Sequence, residues 1–434
     1  MRKVLVSLIF LSILMSSDAI VRKQVIGFEK TGKGRVEKYY RAMKRLTDFG
    51  RKYWSDVRIL LDTEKERIIF DRAYTINSRG QRINVPKNAF HTLIPREVQK
   101  APYFYYLKEK VVNFVGLDLP SESVLSYRIE STEPQVDFVL PVAEPAFVEE
   151  TVVNVIGFEK VDFEVIGARP EVERFMRGGK RGLSIKLRRI EPYPPEPNQA
   201  PPLPLIVLTT EVTWKELEEA LIAYFYQDPG IPESLWKDTA LEGKNIEEVI
   251  KWVRNSIQVV KLDMRRSFEK ARSATEVLKS KYGTAAEVIL LYREILKRLG
   301  ISSIPFLAVD SRYFSRKVPS LRQFKEVGLY LPRKEVFLLS DGTLKRYLHK
   351  KAVLLLEEGN PHFASYPVVS PEKNSVYLNL QLNPPNLRGT ARLRGNFALI
   401  KKEAVKEAKD LLNRLGIKAK VKKASLSSFH DSVE

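Results

Sequence analysis

The sequence predicts a multidomain α+β protein: an antiparallel β-sandwich first, an α+β core after it, and a short C-terminal strand and helix extension. Three observations carry this. Short runs rich in β-branched residues fill 20–190, and after a cluster of prolines the hydrophobic period changes from two to that of a helix. The 434 residues also exceed one ordinary domain of roughly 100–200 residues.

The chain opens with Arg2 and Lys3 before an apolar run from Val4 to Met15, and small residues stand at Ser17 and Ala19. This is the pattern of a secretory signal, with cleavage expected after Ala19. The run is too short to span a bilayer, and no later stretch is long and apolar enough, so the mature chain is expected to have no transmembrane segment. A periplasmic or secreted location follows.

Residues 20–190 read as the sandwich. Val57 to Leu61 and Arg67 to Ile76 are strand-like, and Asn77-Ser78-Arg79-Gly80 is a turn leading to Gln81 to Val85, which makes a hairpin. Val111 to Val115 and Ser123 to Ile129 continue the style. The hexapeptide Val25-Ile26-Gly27-Phe28-Glu29-Lys30 recurs at 155–160 without flanking similarity, so two similar edge strands or coincidence explain it better than duplication. Seven prolines between Pro192 and Pro204 then predict a stiff, extended linker over 191–205.

The α+β core is expected over 206–357. Thr213 with Glu216, Asn245 with Glu248 and Thr284 with Glu287 each have the spacing of a capping box, in which a side chain caps the helix start and a carboxylate reaches back to the cap. Behind the first box Leu217, Ala220, Leu221 and Tyr224 form an apolar face. Val249, Ile250, Val253 and Ile257 do so in the second helix; Val288, Leu291, Ile295 and Leu299 do so in the third, which stops at Gly300. Strands are expected at Ile304 to Val309, Val327 to Leu331 and Val336 to Leu339. From 358 onward the extension has a strand near Val376 to Leu382, a break at Pro384-Pro385, a helix from about 398 to 415, and a basic tail.

Composition narrows the chemistry. The chain has no cysteine, which excludes disulfides, thiolate metal sites and a cysteine nucleophile. The four histidines, at 91, 349, 362 and 430, lack the spacing of a helical ligand pair, so neither a metal nor a cofactor is expected. A net charge of +20 admits anionic partners such as acidic glycans or lipid head groups, but basicity alone does not point to specific nucleic-acid binding. Eleven basic residues against three acids lie between Arg312 and Lys351. Within them Arg312, Arg316, Lys317, Arg322 and Lys325 are the ligand-binding candidates, and Arg174 to Arg189 forms a second basic run.

The segment Ala274-Thr275-Glu276-Val277-Leu278-Lys279-Ser280-Lys281-Tyr282-Gly283-Thr284-Ala285 resembles the transglutaminase-like cores of the papain-type superfamily. Leu299-Gly300-Ile301, the strand from Pro305, and Leu339-Ser340-Asp341 keep that core's order. The whole chain from about 20 to 415 resembles exported bacterial proteins in which a β-sandwich domain of unknown function precedes such a core. Relatives of this kind usually continue into further β structure after the last helix, which leaves open truncation, a split gene or a separately encoded partner.

The resemblance implies a thiolate at a helix start, a histidine that takes its proton and an acid that orients the histidine. Here those positions carry Ala285, Glu326 and Asp341. The nucleophile and base are missing, and Thr284 with Glu287 is better explained as the helix cap at the vestigial site than as a replacement. The expectation is therefore a non-catalytic exported protein that binds or scaffolds an envelope component, protein or polyanion. Two alternatives remain: a hydrolase or transferase that uses Glu326 and Asp341 as a carboxylate pair, and a basic polyanion-binding protein with no use for the cleft.

Overall fold

The computed structural model describes residues 17–193, 204–348, 351–366, 376–383 and 386–393. Residues 1–16 of the expected leader, the prolines from Pro194 to Pro202, His349, His430, and the expected helix and basic tail beyond 398 lie outside these residues.

The first region comprises β1 (Ala19–Thr31), β2 (Gly34–Arg45), α1 (Asp48–Tyr53), β3 (Asp56–Asp62), β4 (Glu66–Ile76), β5 (Arg82–Asn84), β6 (Phe90–Leu93), β7 (Leu107–Asn113), β8 (Ser121–Ser131), β9 (Asp137–Pro141), β10 (Phe147–Ile156), β11 (Val161–Ile166), β12 (Glu171–Arg177), β13 (Lys180–Ile190) and β14 (Leu205–Thr210). An eight-stranded sheet runs β12-β13-β10-β1-β2-β8-β4-β5, and two three-stranded sheets, β3-β7-β6 and β11-β14-β9, pack against it. The predicted hairpin is β4-β5, with Gly80 at φ 74 and Asn77 Oδ1 accepting from the Arg79 and Gln81 amides.

Two details depart from the sequence-based picture. The sandwich is not wholly antiparallel, because β1 and β10 pair in parallel. The repeated hexapeptide is not a pair of edge strands: it falls on β1 and on the end of its central neighbour β10 with the residues that follow, and Ile26, Phe28, Val155, Ile156 and Phe158 are all buried. Ser17 to Ala19, assigned to the leader, are also part of the fold. Ser17 Oγ accepts the Phe147 amide, and Ala19 is buried opposite Arg45.

β14 follows the prolines yet returns to the sandwich, pairing with β9 and β11. All six of its residues are buried. Successive strand side chains point to opposite faces. Ile206 and Leu208 therefore enter the sandwich core while Leu205 and Val207 enter the core of the following region. Leu205–Thr210, which the sequence divides between linker and second domain, is thus a strand shared by two cores.

The second region contains α2 (Trp214–Tyr226), α3 (Glu233–Thr239), α4 (Ile246–Ser256), β15 (Gln258–Val260), α5 (Met264–Phe268), α6 (Ala274–Ser280), β16 (Tyr282–Thr284) and α7 (Ala285–Arg298). They are followed by β17 (Ile304–Asp310), β18 (Glu326–Leu331), β19 (Val336–Leu339), β20 (Leu344–Lys345), β21 (Lys351–Leu355) and β22 (His362–Tyr366), in a sheet of order β20-β19-β18-β17-β21-β22. β23 (Val376–Asn383) and β24 (Asn386–Leu393) form a separate antiparallel pair.

All three predicted capping boxes form, and a fourth joins Ser273 and Glu276. On α2 the packed face is Leu217, Leu221, Tyr224 and Phe225, whereas Ala220 is exposed. α7 is the central helix: Ala286 to Leu296 are buried on every side, more than one apolar stripe predicts. It packs on the sheet face formed by Leu307, Val309, Val327, Leu329, Leu338 and Leu354. The opposite face, with Phe306, Ala308, Phe337, Leu339 and Val353, forms a separate small core. Among the described residues no helix is long and apolar enough to cross a membrane.

Candidate functional site

The resemblance directs attention to the start of α7. Lys281, at φ 65, ends α6, and β16 then pairs in parallel with β15, which delivers Thr284 to the helix start. Thr284 is 1% exposed and both capacities of its hydroxyl are used. It accepts the Glu287 amide at 3.3 Å and donates to the Ser267 carbonyl at 2.9 Å. Glu287 Oε2 accepts the Thr284 amide at 2.8 Å, closing the box. Ala285, the first helical residue, brings only a methyl group and packs at the margin of the main core.

Glu287 is fully buried, and its charge is answered by Arg272. Nε and one Nη of the guanidinium each lie 3.0 Å from a Glu287 oxygen, and the Arg272 amide donates to Oε1 at 2.8 Å. The guanidinium also donates to Ser280 Oγ at 3.0 Å and to the Tyr282 carbonyl at 2.8 Å. Burial disfavours the Arg272 charge, but the Glu287 hydrogen bonds outweigh it and hold its pKa above the ordinary value. Such a bidentate, fully hydrogen-bonded pair is the arrangement in which a buried ion pair can offset its desolvation.

The sandwich closes over this pair. Tyr103, Phe104 and Tyr282 set their rings 4.7, 5.3 and 4.7 Å from the Arg272 guanidinium. The Tyr103 amide donates to the Tyr282 hydroxyl, and the Tyr103 hydroxyl donates to the Lys270 carbonyl. Val98, Ala101, Phe104 and Leu107 pack with Val260 behind them.

Glu326 is directed elsewhere. It stands opposite Ala308 in the β17-β18 ladder, in line with the small core on the sheet face away from α7. Its Oε1 lies 3.3 Å from Lys345 Nζ and 3.5 Å from Lys351 Nζ, while Oε2 is buried without a hydrogen-bond partner. Asp341 is exposed in the turn after β19, where it accepts the Thr343 amide at 2.8 Å. No described hydrogen bond joins Glu326 to Asp341. Thr284, Ala285 and Glu287 thus stand at the start of α7, Glu326 in the β18 ladder opposite Ala308, and Asp341 in the turn after β19.

The five basic candidates stand in different surroundings. Arg312 makes two contacts to Asp310, at 3.1 and 2.8 Å. The Arg316 guanidinium lies over the Phe363 ring, and its carbonyl accepts Trp214 Nε1. Lys317, 81% exposed, reaches Glu164 at 3.7 Å. The Lys325 amide donates to the Ala308 carbonyl. Arg322, its side chain 27% exposed, lies at the junction between regions, 3.2 Å from Asp263, with Asp137 also favouring its charge against the cost of burial. Burial pushes the Asp137 carboxyl upward, and a 2.5 Å hydrogen bond from Ser320 opposes this.

Composition could not single out Arg272 or Asp137, because their roles depend on partners from distant segments; only the Ser273/Glu276 spacing hinted at the turn beside Arg272. Of the described histidines, His91 lies exposed in β6 and His362 sets its Nδ1 3.0 Å from the Asn360 carbonyl.

Comparison with known proteins places these observations. Residues 33–162 match the model of a domain of unknown function with a solved structure, DUF3857. A crystal structure of a candidate protease from Parabacteroides distasonis superposes with a TM-score of 0.69 at 18% identity, covering 84% of this chain and 78% of that one. An M1 zinc metallopeptidase from Deinococcus radiodurans aligns at 10% identity over 44% of this chain and 42% of its own. Its TM-score of 0.23 is too low to carry an argument. No curated protein matches the sequence. The chain thus carries a DUF3857 match in its sandwich and shares a multidomain fold with the candidate protease.

Proposed function

We propose that the chain is an exported envelope protein whose transglutaminase-like core serves as a non-catalytic binding or scaffolding module. One observation carries the reading: at the start of α7 a methyl group, Ala285, stands where that chemistry requires a nucleophile, and the surrounding polar groups are committed to the cap and to Arg272. A hydroxyl needs an adjacent base to become a nucleophile. Thr284 has a backbone carbonyl and an amide instead. Glu326 is engaged by Lys345 and Lys351. The leader pattern of Arg2 and Lys3 before the apolar run Val4 to Met15 supports export, and the basic composition supports an anionic component of the envelope as partner.

The test combines location and chemistry. Cell fractionation is expected to recover the processed chain outside the cytoplasm, and the purified protein is expected to show no amine incorporation, amidase or peptidase turnover above a blank. Installing Ala285→Cys with Glu326→His is expected to leave it inactive, because position 326 belongs to the sheet face away from α7. Cytoplasmic recovery of an unprocessed chain, or turnover by the wild type, overturns the proposal.

A second reading, polyanion binding, is favoured by the hairpin β12-β13 at the sheet edge. Arg174, Arg177 and Arg181 are exposed there and make no ion pair among the described residues. If it holds, binding to heparin falls steeply with salt and is weakened by neutralising these three.

A further inference from the structure

A cavity of about 220 Å³ lies beside the inner face of the eight-stranded sheet, its lining including Met43, Arg45, Trp54, Val57, Phe114 and Ser123. Register explains the polar part of its floor. Arg45, Met43 and Arg41 stand opposite Ser121, Ser123 and Leu125, and Thr75 stands opposite Ser123 on the other side. Paired residues share a sheet face. A row of polar groups thus interrupts a face that continues as apolar core through Ala19, Val21, Met43 and Val148.

These groups are poorly answered. Arg45 is 1% exposed; Nε and one Nη donate to the single Trp54 carbonyl, and the guanidinium lies 5.4 Å from the Phe114 ring centre. Its other Nη has no partner, and neither do the buried Ser121 and Thr75 hydroxyls. The two acids at the cavity are already committed, Glu144 to Arg41 at 2.5 Å and Asp56 to Arg58 at 2.9 Å. Burial, with repulsion from Arg41, pulls the Arg45 guanidinium down to about 10. A buried cation without a counter-charge beside unpaired hydroxyls is a costly arrangement. An anion entering the cavity would supply the counter-charge that Arg45 lacks.

We propose that this cavity binds a carboxylate carried on a small apolar or aromatic body. The carboxylate answers Arg45, with Ser123 beside it in the lining; the body lies against Trp54, Val57 and Phe114. The cavity's size suits a small body, a single ring or a branched chain. Two sources share this chemistry: a free carboxylic acid, and the C-terminal residue of a peptide. The site belongs to the sandwich and is independent of the reading of α7.

Isothermal titration calorimetry on the full-length protein tests it. The probes are 3-phenylpropionate, 3-phenylpropionamide, and a tetrapeptide ending in phenylalanine with a free or an amidated C-terminus. Saturable binding is expected for at least one acid and not for its amide. It should weaken roughly tenfold or more in Arg45→Met, the scale of a lost charge-assisted hydrogen bond. Val57→Trp, which fills the cavity and keeps Arg45, should also abolish binding and carries the test if Arg45→Met does not fold. Binding of the free acid points to a metabolite, and binding of the peptide alone points to a protein C-terminus. The proposal is overturned if the wild type binds neither acid, if acid and amide bind alike, or if a folded variant binds as the wild type does.

Discussion

The start of α7 and the cavity beside β2 each bury an arginine, and only the first buries its counter-charge as well. Arg272 meets both oxygens of Glu287, a hydroxyl, a carbonyl and three aromatic rings. Arg45 meets one carbonyl and one ring. Where the chain supplies every partner, a polar cluster holds the fold together; where partners are missing, a ligand has something to contribute. By this criterion the helix start singled out by the resemblance fits the proposed structural role, and the cavity in the sandwich is the better place to look for binding.

The sharpest way to break this contrast is Glu287→Ala. It leaves Arg272 buried without its counter-charge and removes the α7 cap carboxylate, so urea denaturation should show a loss of about 3–5 kcal/mol. A loss below ~1 kcal/mol would remove the structural role from the helix start.

Next comes Leu208→Ala, which truncates a buried side chain in the strand shared by the two cores and is expected to cost about 2–5 kcal/mol. Circular dichroism and tryptophan fluorescence should still report one transition. Two separated transitions would show that β14 does not couple the regions.

Arg45→Met should act in the opposite direction. Removing an uncompensated buried charge is expected to stabilise the ligand-free protein, by about 1–2 kcal/mol on the scale seen when buried charges give way to apolar groups. Destabilisation would mean that Arg45 is already adequately partnered.

The junction between regions should respond to acid. Burial raises the Glu133 pKa, but hydrogen bonding to Lys65 and attraction from Arg265 prevail and hold it below its ordinary 4.5. A carboxylate depressed on folding contributes stability above its unfolded pKa and loses that contribution as pH falls through the folded value. Stability should therefore decline below pH 4.5, and the decline should be shallower in Glu133→Gln, as melting temperatures across pH 3–6 would reveal. Identical profiles would remove Glu133 from the account. The smallest effect is Lys317→Ala: its side chain is 81% exposed and its contact to Glu164 spans 3.7 Å, so stability should change by less than ~0.5 kcal/mol.

What the sequence made legible was local. Capping boxes at Thr213, Asn245 and Thr284 need residues three apart, and all three form. The hairpin around Asn77 to Gly80 was readable for the same reason. The placement of β14 was not, because it pairs with strands that precede the prolines. Nor could the motif reveal that Glu326 lies in line with the sheet face away from α7, which depends on its register with Ala308. Arg45 lies among the many cations of a basic chain, and what distinguishes it, the lack of a partner, is a property of the folded sheet.

The most direct test is turnover of an acyl-donor peptide, with and without an amine acceptor, by the purified wild type beside Thr284→Val, Glu326→Ala and Asp341→Ala. The account predicts no release or amine incorporation above the blank for any of the four proteins. Turnover by the wild type that any one of these substitutions abolishes would contradict it.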